Sequence, residues 1–164
     1  ALEGFQVSEA ATILGKTVQQ VEELISKAHA DIEATLSTKV LIIEDEPVIA
    51  ADLESLVEEL GHDVTGNATT HTEAVAMARA NPPGLILCDI QLADNSSGID
   101  AAHEILEELD VPIIFITAFP ERLLTGERPE PTYLIPKPFQ ENTVKAAIGQ
   151  ALFFHPSDRP VAAE

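Results

Sequence analysis

The sequence predicts a doubly wound α/β domain, a five-stranded parallel sheet in the order 2-1-3-4-5 with helices on both faces, preceded by an N-terminal helical hairpin. Three observations predict it. The apolar runs VLII at 40–43, LILC at 85–88 and IIFI at 113–116 are uninterrupted and short, which is the pattern of strands buried on both faces. Helical patterns alternate with them, as crossovers between parallel strands require. Each run also ends in polar side chains, Glu44-Asp45, Asp89 and Thr117. The carboxyl ends of strands are where ligands gather in an open parallel sheet.

The first strand is KVLIIE at 39–44. Pro47 suits the first turn of the helix that follows, so Glu44, Asp45 and Glu46 stand at a strand-to-helix corner. The simplest reading of these acids is that one of them caps the helix. Ile49, Leu53, Leu56, Val57 and Leu60 recur at helical spacing, and Gly61 stops the helix. HDVTGNA at 62–68 is a weak short strand, and THTEAVAMARAN at 70–81 is a helix ended by Pro82-Pro83. GLILCDI at 84–90 is the third strand, IDAAHEILEEL at 99–109 a helix, and VPIIFITAF at 111–119 the fourth strand. Gly126, Pro129 and Pro131 limit any helix in the next connection to about one or two turns. TYLIPKPF at 132–139 is the last strand and QENTVKAAIGQALFF at 140–154 the closing helix. The division is thus 1–38 for the hairpin, 39–154 for the α/β domain and 155–164 for a tail.

Residues 1–38 read as a short helix, a tight turn at Gly15-Lys16 and a long helix. Ser8 and Thr17 are candidate N-caps, the latter in a capping box with Gln20. Val18, Val21, Leu24, Ile25, Ala28, Ile32 and Leu36 make one apolar stripe. Two such helices cannot bury their stripes against each other alone, so the stripe calls for a cover: the main domain, a partner, or self-association of the chain.

Composition narrows the function. The 164 residues carry 28 acids against 9 bases, a net charge of −19. That opposes direct binding to nucleic acid or to an anionic membrane and suits a cation or a basic protein partner. Cys88 is the single cysteine, so no intramolecular disulfide forms, and a reducing cytoplasm is expected. No run of 18 apolar residues and no basic-then-apolar start is present, so neither a membrane span nor a signal peptide is expected.

In the order 2-1-3-4-5 the first and third strands are neighbours, and Glu44, Asp45 and Asp89 converge. Two like charges at about 4 Å repel by roughly 1 to 4 kcal/mol. A hard divalent cation relieves this, and a few carboxylates plus water is the usual setting for Mg2+. Lys137 adds a fixed positive charge and Thr117 a hydroxyl. Positive groups around a central carboxylate match the spread negative charge of an incoming phosphoryl group, with Asp89 as the nucleophile that forms an acyl phosphate.

LIIEDEP, LILCDIQL, IIFITA and LIPKPF, in this order and spacing, resemble the receiver domain of two-component response regulators, whose sheet has the flavodoxin-like order. The resemblance covers residues 39 to about 154. It implies that Glu44 and Asp45 hold Mg2+ with Asp89, that the backbone carbonyl of Gln91 completes the metal shell, and that Asp89 accepts a phosphoryl group from a sensor histidine kinase or phosphotransferase. It also implies that Thr117 bonds that group and moves, that Lys137 pairs with it, and that the Lys137-Pro138 bond is cis. The chain departs from the pattern at one position. Receivers carry an aromatic three residues before the lysine, where this chain has Leu134, and Tyr133 is displaced by one, towards the other face.

Residues 1–32 are similar to the last helix-turn-helix of region 4 in extracytoplasmic-function sigma factors. A sigma-like segment before a receiver, with the loop FITAFPERLLTGERPEP, resembles the PhyR class of general-stress-response regulators. That resemblance implies a non-enzymatic partner switch, in which phosphorylation of the receiver exposes a sigma-like domain that captures an anti-sigma factor. It also implies that the chain begins inside the sigma-like domain. Two other classes make different demands on the residues. A transcription regulator reading DNA through the hairpin needs bases on its second helix, whereas residues 17–36 carry Lys27 against Glu22, Glu23, Asp31 and Glu33. An aspartyl phosphatase commonly places an acid two residues after its nucleophile, and Gln91 stands there.

Overall fold

The computed structural model describes residues 17–123 and 132–155. The chain divides into two compact units, residues 1–37 and 38–164. In the first, helix α1 spans Val18–Leu36. Thr17 caps it: Gln20 N donates to Thr17 Oγ1 at 3.2 Å and Thr17 N donates back to Gln20 Oε1 at 3.0 Å, so two otherwise unpaired backbone donors are satisfied at once. Val21 is buried, whereas Val18, Leu24 and Ile25 are exposed. The expected first helix with its Ser8 cap, the turn at Gly15-Lys16 and the side chains of Ala28, Ile32 and Leu36 lie outside the described residues.

In the second unit the elements follow as β1 (Lys39–Ile43), α2 (Pro47–Glu59), β2 (Asp63–Ala68), α3 (His71–Ala80), β3 (Leu85–Cys88), α4 (Gly98–Glu108), β4 (Ile113–Thr117), a 3-10 turn (Pro120–Leu123), β5 (Thr132–Pro136) and α5 (Glu141–Phe154). All four strand pairings are parallel, and the order is β2-β1-β3-β4-β5. Alternate residues of each central strand face opposite layers. Leu41, Ile43, Ile86, Cys88, Ile113 and Phe115 pack with Ala74, Val75 and Ala78 of α3 and Ala101, Ala102 and Ile105 of α4. Val40, Ile42, Leu85, Leu87, Ile114 and Ile116 pack with Leu53, Leu56 and Val57 of α2 and Val144, Ile148 and Ala151 of α5. Two covered faces explain why these strands are apolar throughout.

The loops are built by their own sequence. Thr70 and Ser97 cap α3 and α4 through their side chains, and Gly61 takes φ +86 after α2, a conformation that costs glycine nothing. Glu46 is the N-cap residue of α2, but its side chain makes no capping bond. Strand β3 stops at Cys88, two residues before the expected end at 90. The chain turns there so that Gly98 N can donate to Ile90 O at 2.7 Å. The Lys137-Pro138 peptide is cis. In the β4–β5 connection residues 124–131, and in the tail residues 156–164, lie outside the described residues.

Candidate functional site

Strand register sets the site. Ile43 of β1 stands level with Cys88 of β3, and Asp89 N donates to Ile43 O at 2.8 Å. The next residue of each strand, Glu44 and Asp89, therefore emerges at the same edge of the sheet. Thr117 ends β4, and Lys137 N donates to Thr117 O at 2.8 Å, which fixes the start of the lysine beside them.

The Lys137 ammonium donates to Glu44 Oε2 at 2.8 Å and to Asp89 Oδ2 at 2.9 Å, and reaches Glu46 Oε1 at 3.4 Å. The side chains of Lys137, Glu44 and Asp89 are only 9%, 1% and 7% exposed, so these are buried charges in mutual contact. Their remaining valences are met locally. Glu46 N donates to Glu44 Oε1 at 3.1 Å, and Ile90 N donates to Asp89 Oδ1 at 2.6 Å. The acid at the corner thus bonds the backbone at the start of α2, but from position 44, not from the cap position itself.

Burial pushes the Glu44 carboxyl up to about 7, with the charge of Asp89 adding to it, while the bonds from Lys137 and Glu46 N hold it back. For Lys137 burial acts downwards, but its bonds to Glu44 and Asp89 outweigh it and the ammonium is held above its usual range. Burial, then the charges of Asp89 and Glu44, push the Cys88 thiol well up, so Cys88 stays a protonated, buried neighbour.

Of the residues singled out from the sequence, Glu44, Asp89 and Lys137 meet, and Thr117 is wholly buried at the end of the adjoining strand. Asp45, the residue after Glu44, is half-buried. Among the described residues, the three acids whose ligand oxygens lie within 4.8 Å of one another are Glu44, Glu46 and Asp89, so Glu46 joins the cluster and Asp45 stands outside that group. Gln91 faces Ser97 across an isolated antiparallel bridge. The bonds of that bridge run from Leu92 N to Ser96 O and from Gly98 N to Ile90 O, not through the carbonyl of Gln91.

Two contributors were missed from the sequence. In the sequence Glu46 is one more corner acid, because nothing local shows that Lys137 arrives opposite it. Gly98 was not singled out: a Cβ there would lie 1.8 Å from Asp89 O and 2.7 Å from Cys88 Sγ. The available signal was a glycine opening a helix shortly after an acid-tipped strand.

A buried aspartate, its acidic neighbours, a threonine and a lysine at the carboxyl edge of a 2-1-3-4-5 sheet define a receiver domain. The receiver-domain model matches residues 40–149, and the chain belongs to the response regulator receiver family. A second model, the sigma-like domain of the response regulator PhyR, matches residues 1–35, and this pairing is that of the PhyR class. The phyllosphere-induced regulator PhyR of Methylorubrum extorquens is 57% identical over 159 residues, covering 96% of this chain and 60% of that protein. The solution structure of the PhyR receiver domain of Erythrobacter litoralis is 62% identical with a TM-score of 0.72, covering 78% of this chain and 99% of that one. The crystal structure of Bartonella quintana PhyR, an anti-anti-sigma factor, with the anti-sigma factor NepR is 57% identical with a TM-score of 0.60, covering 94% of this chain and 63% of that one. The chain thus spans about 60% of the length of the M. extorquens regulator.

Proposed function

We propose that the chain is the phosphorylation-controlled part of a partner switch: Asp89 accepts a phosphoryl group from a sensor histidine kinase or phosphotransferase in the cytoplasm, and the modified receiver controls a sigma-like domain that captures an anti-sigma factor. The observation that carries this is the Lys137 ammonium held between Glu44 and Asp89. Asp89 is aimed by two bonds, from Lys137 and Ile90 N, and stands ready as a nucleophile. When its oxygen bonds phosphorus and the donor's leaving group departs, negative charge passes to the phosphoryl oxygens. Lys137 and the Thr117 hydroxyl are the groups at hand to follow it.

Three carboxylates within 4.8 Å of one another, faced by one ammonium, fit a hard divalent cation. Glu44 and Asp89 of that group, with Asp45 next in the chain and the Gln91 carbonyl as the receiver resemblance implies, would hold Mg2+, and Glu46 is the competing third carboxylate. A cation held by these residues would supply positive charge to the phosphoryl oxygens. The domain boundaries at 38/39 and 154/155 follow from the same reading, with residues 1–38 as the sigma-like part.

Support for the output comes from the sigma-like match at residues 1–35 and from the solved PhyR–NepR complex of a 57% identical relative. Residues 1–38 carry two bases against six acids, which disfavours reading DNA directly. The test is the affinity for a NepR-type anti-sigma factor by calorimetry, with and without acetyl phosphate and Mg2+. Tighter binding with the donor supports the switch. Equal binding in both states contradicts it, as does tight binding to promoter DNA.

A further inference from the structure

The face of β5 decides which aromatic can respond to Thr117. Strands β4 and β5 pair with Phe115 opposite Leu134 and Ile114 opposite Tyr133. Side chains alternate along a strand, so Thr117 shares its face with Phe115 and Leu134, while Tyr133 packs against the opposite layer with α2 and α5. The tyrosine cannot follow a motion of Thr117, and Leu134 is 39% exposed and offers no polar group.

The hydroxyl of Thr117 is already engaged elsewhere. Phe119 N donates to Thr117 Oγ1 at 3.1 Å. The Phe119 ring is in turn covered by the Arg122 guanidinium, 5.0 Å from its centroid, a cation–π contact. Arg122 N also donates to Phe119 O at 3.2 Å. The same 3-10 turn ends in Leu123, which is buried with Phe115 in the layer under α3 and α4. The turn is therefore fastened to Thr117 at one end and to the core at the other.

We propose that Phe119 and Arg122 read the state of Thr117. Turning the hydroxyl towards a phosphoryl group on Asp89 takes it from the Phe119 amide, and the Phe119–Arg122 pair then shifts about the Leu123 anchor. This rests on the phosphoacceptor role proposed for Asp89. A hydroxyl can accept and donate at once, but its oxygen swings with rotation about one bond, so the rotamer that aims it at the phosphoryl group carries it off the Phe119 amide. The output leaves the site through the 3-10 turn and not through an aromatic on β5.

Amide hydrogen exchange of the full chain, followed by NMR with acetyl phosphate and Mg2+, tests this alongside intact mass. Protection of the Phe119 amide is expected to fall by about tenfold or more when Asp89 carries phosphate, since its acceptor is withdrawn. In Thr117→Val the amide is expected to exchange fast with or without the donor. In Arg122→Ala, phosphate incorporation is expected to be unchanged, while the phosphorylation-linked change in the Phe119 ring signals is at least halved. A chain carrying one phosphate on Asp89 with unchanged Phe119 exchange overturns the latch and leaves the phosphoacceptor standing. A chain that takes up no phosphate on Asp89 overturns both.

Discussion

The ammonium of Lys137 lies 2.8 Å from the carboxylate of Glu44, with both side chains almost wholly buried. The pair stands where β1 and β3 deliver Glu44 and Asp89 side by side. Removing one partner from a buried ion pair leaves an uncompensated charge, which costs about 3–5 kcal/mol. Lys137→Met is expected to lower the metal-free unfolding free energy by about 3 kcal/mol. Millimolar Mg2+ should recover part of the loss. Urea denaturation with and without the cation checks this, and an unchanged midpoint would show that the ammonium is not balancing the cluster.

The protonation of Glu44 gives a pH signature. Its folded value of about 7 lies above its ordinary 4.5, so between these the folded state binds more protons than the unfolded one. The contribution is fully present below pH about 4.5 and is lost as pH rises through about 7. The metal-free protein should therefore lose stability across that window relative to Glu44→Gln. Urea midpoints at pH 5 and 7.5 measure it; parallel pH curves for the two proteins would mean that Glu44 ionises normally.

Magnesium should raise the melting temperature by binding the folded state alone. Asp45→Asn is expected to remove most of that rise, and Glu46→Gln little of it. The Glu46 side chain is 60% exposed and stands farthest from Lys137, at 3.4 Å, so solvent screens it. If Glu46→Gln abolishes the effect and Asp45→Asn does not, the cation is held by the cluster of Glu44, Glu46 and Asp89 instead.

Two glycines make a matched pair. Gly98→Ala forces a Cβ against Asp89 O and Cys88 Sγ, and overpacking of this kind costs about 1–3 kcal/mol; phosphate uptake at Asp89 should fall with it. Gly149, within α5, has nothing within 4 Å of a Cβ. Gly149→Ala should stabilise by about 0.5–1 kcal/mol through helix propensity alone. Thermal unfolding and acetyl phosphate labelling of both variants compare them directly.

The central strands were legible because a strand covered on both faces has to be apolar throughout, and because their chemistry sits one residue beyond the apolar run. The same logic located Glu44, Asp89 and Thr117, and alternation along β5 turned Tyr133 away from Thr117. Strand β2 was faint, since Gly66 and Asn67 are weak strand formers and β2 is the edge strand, paired among the described residues with β1 alone. Glu46 and Gly98 were hidden for another reason. The role of Glu46 depends on where a lysine from the far end of the chain arrives, and that of Gly98 on how closely two backbone segments approach.

The most direct measurement is intact mass of the chain after incubation with acetyl phosphate and Mg2+, for the natural sequence and for Asp89→Asn. One added phosphate on the former and none on the latter is the expected result. Phosphate that persists in Asp89→Asn, or none on either protein, would contradict Asp89 as the residue on which the switch turns.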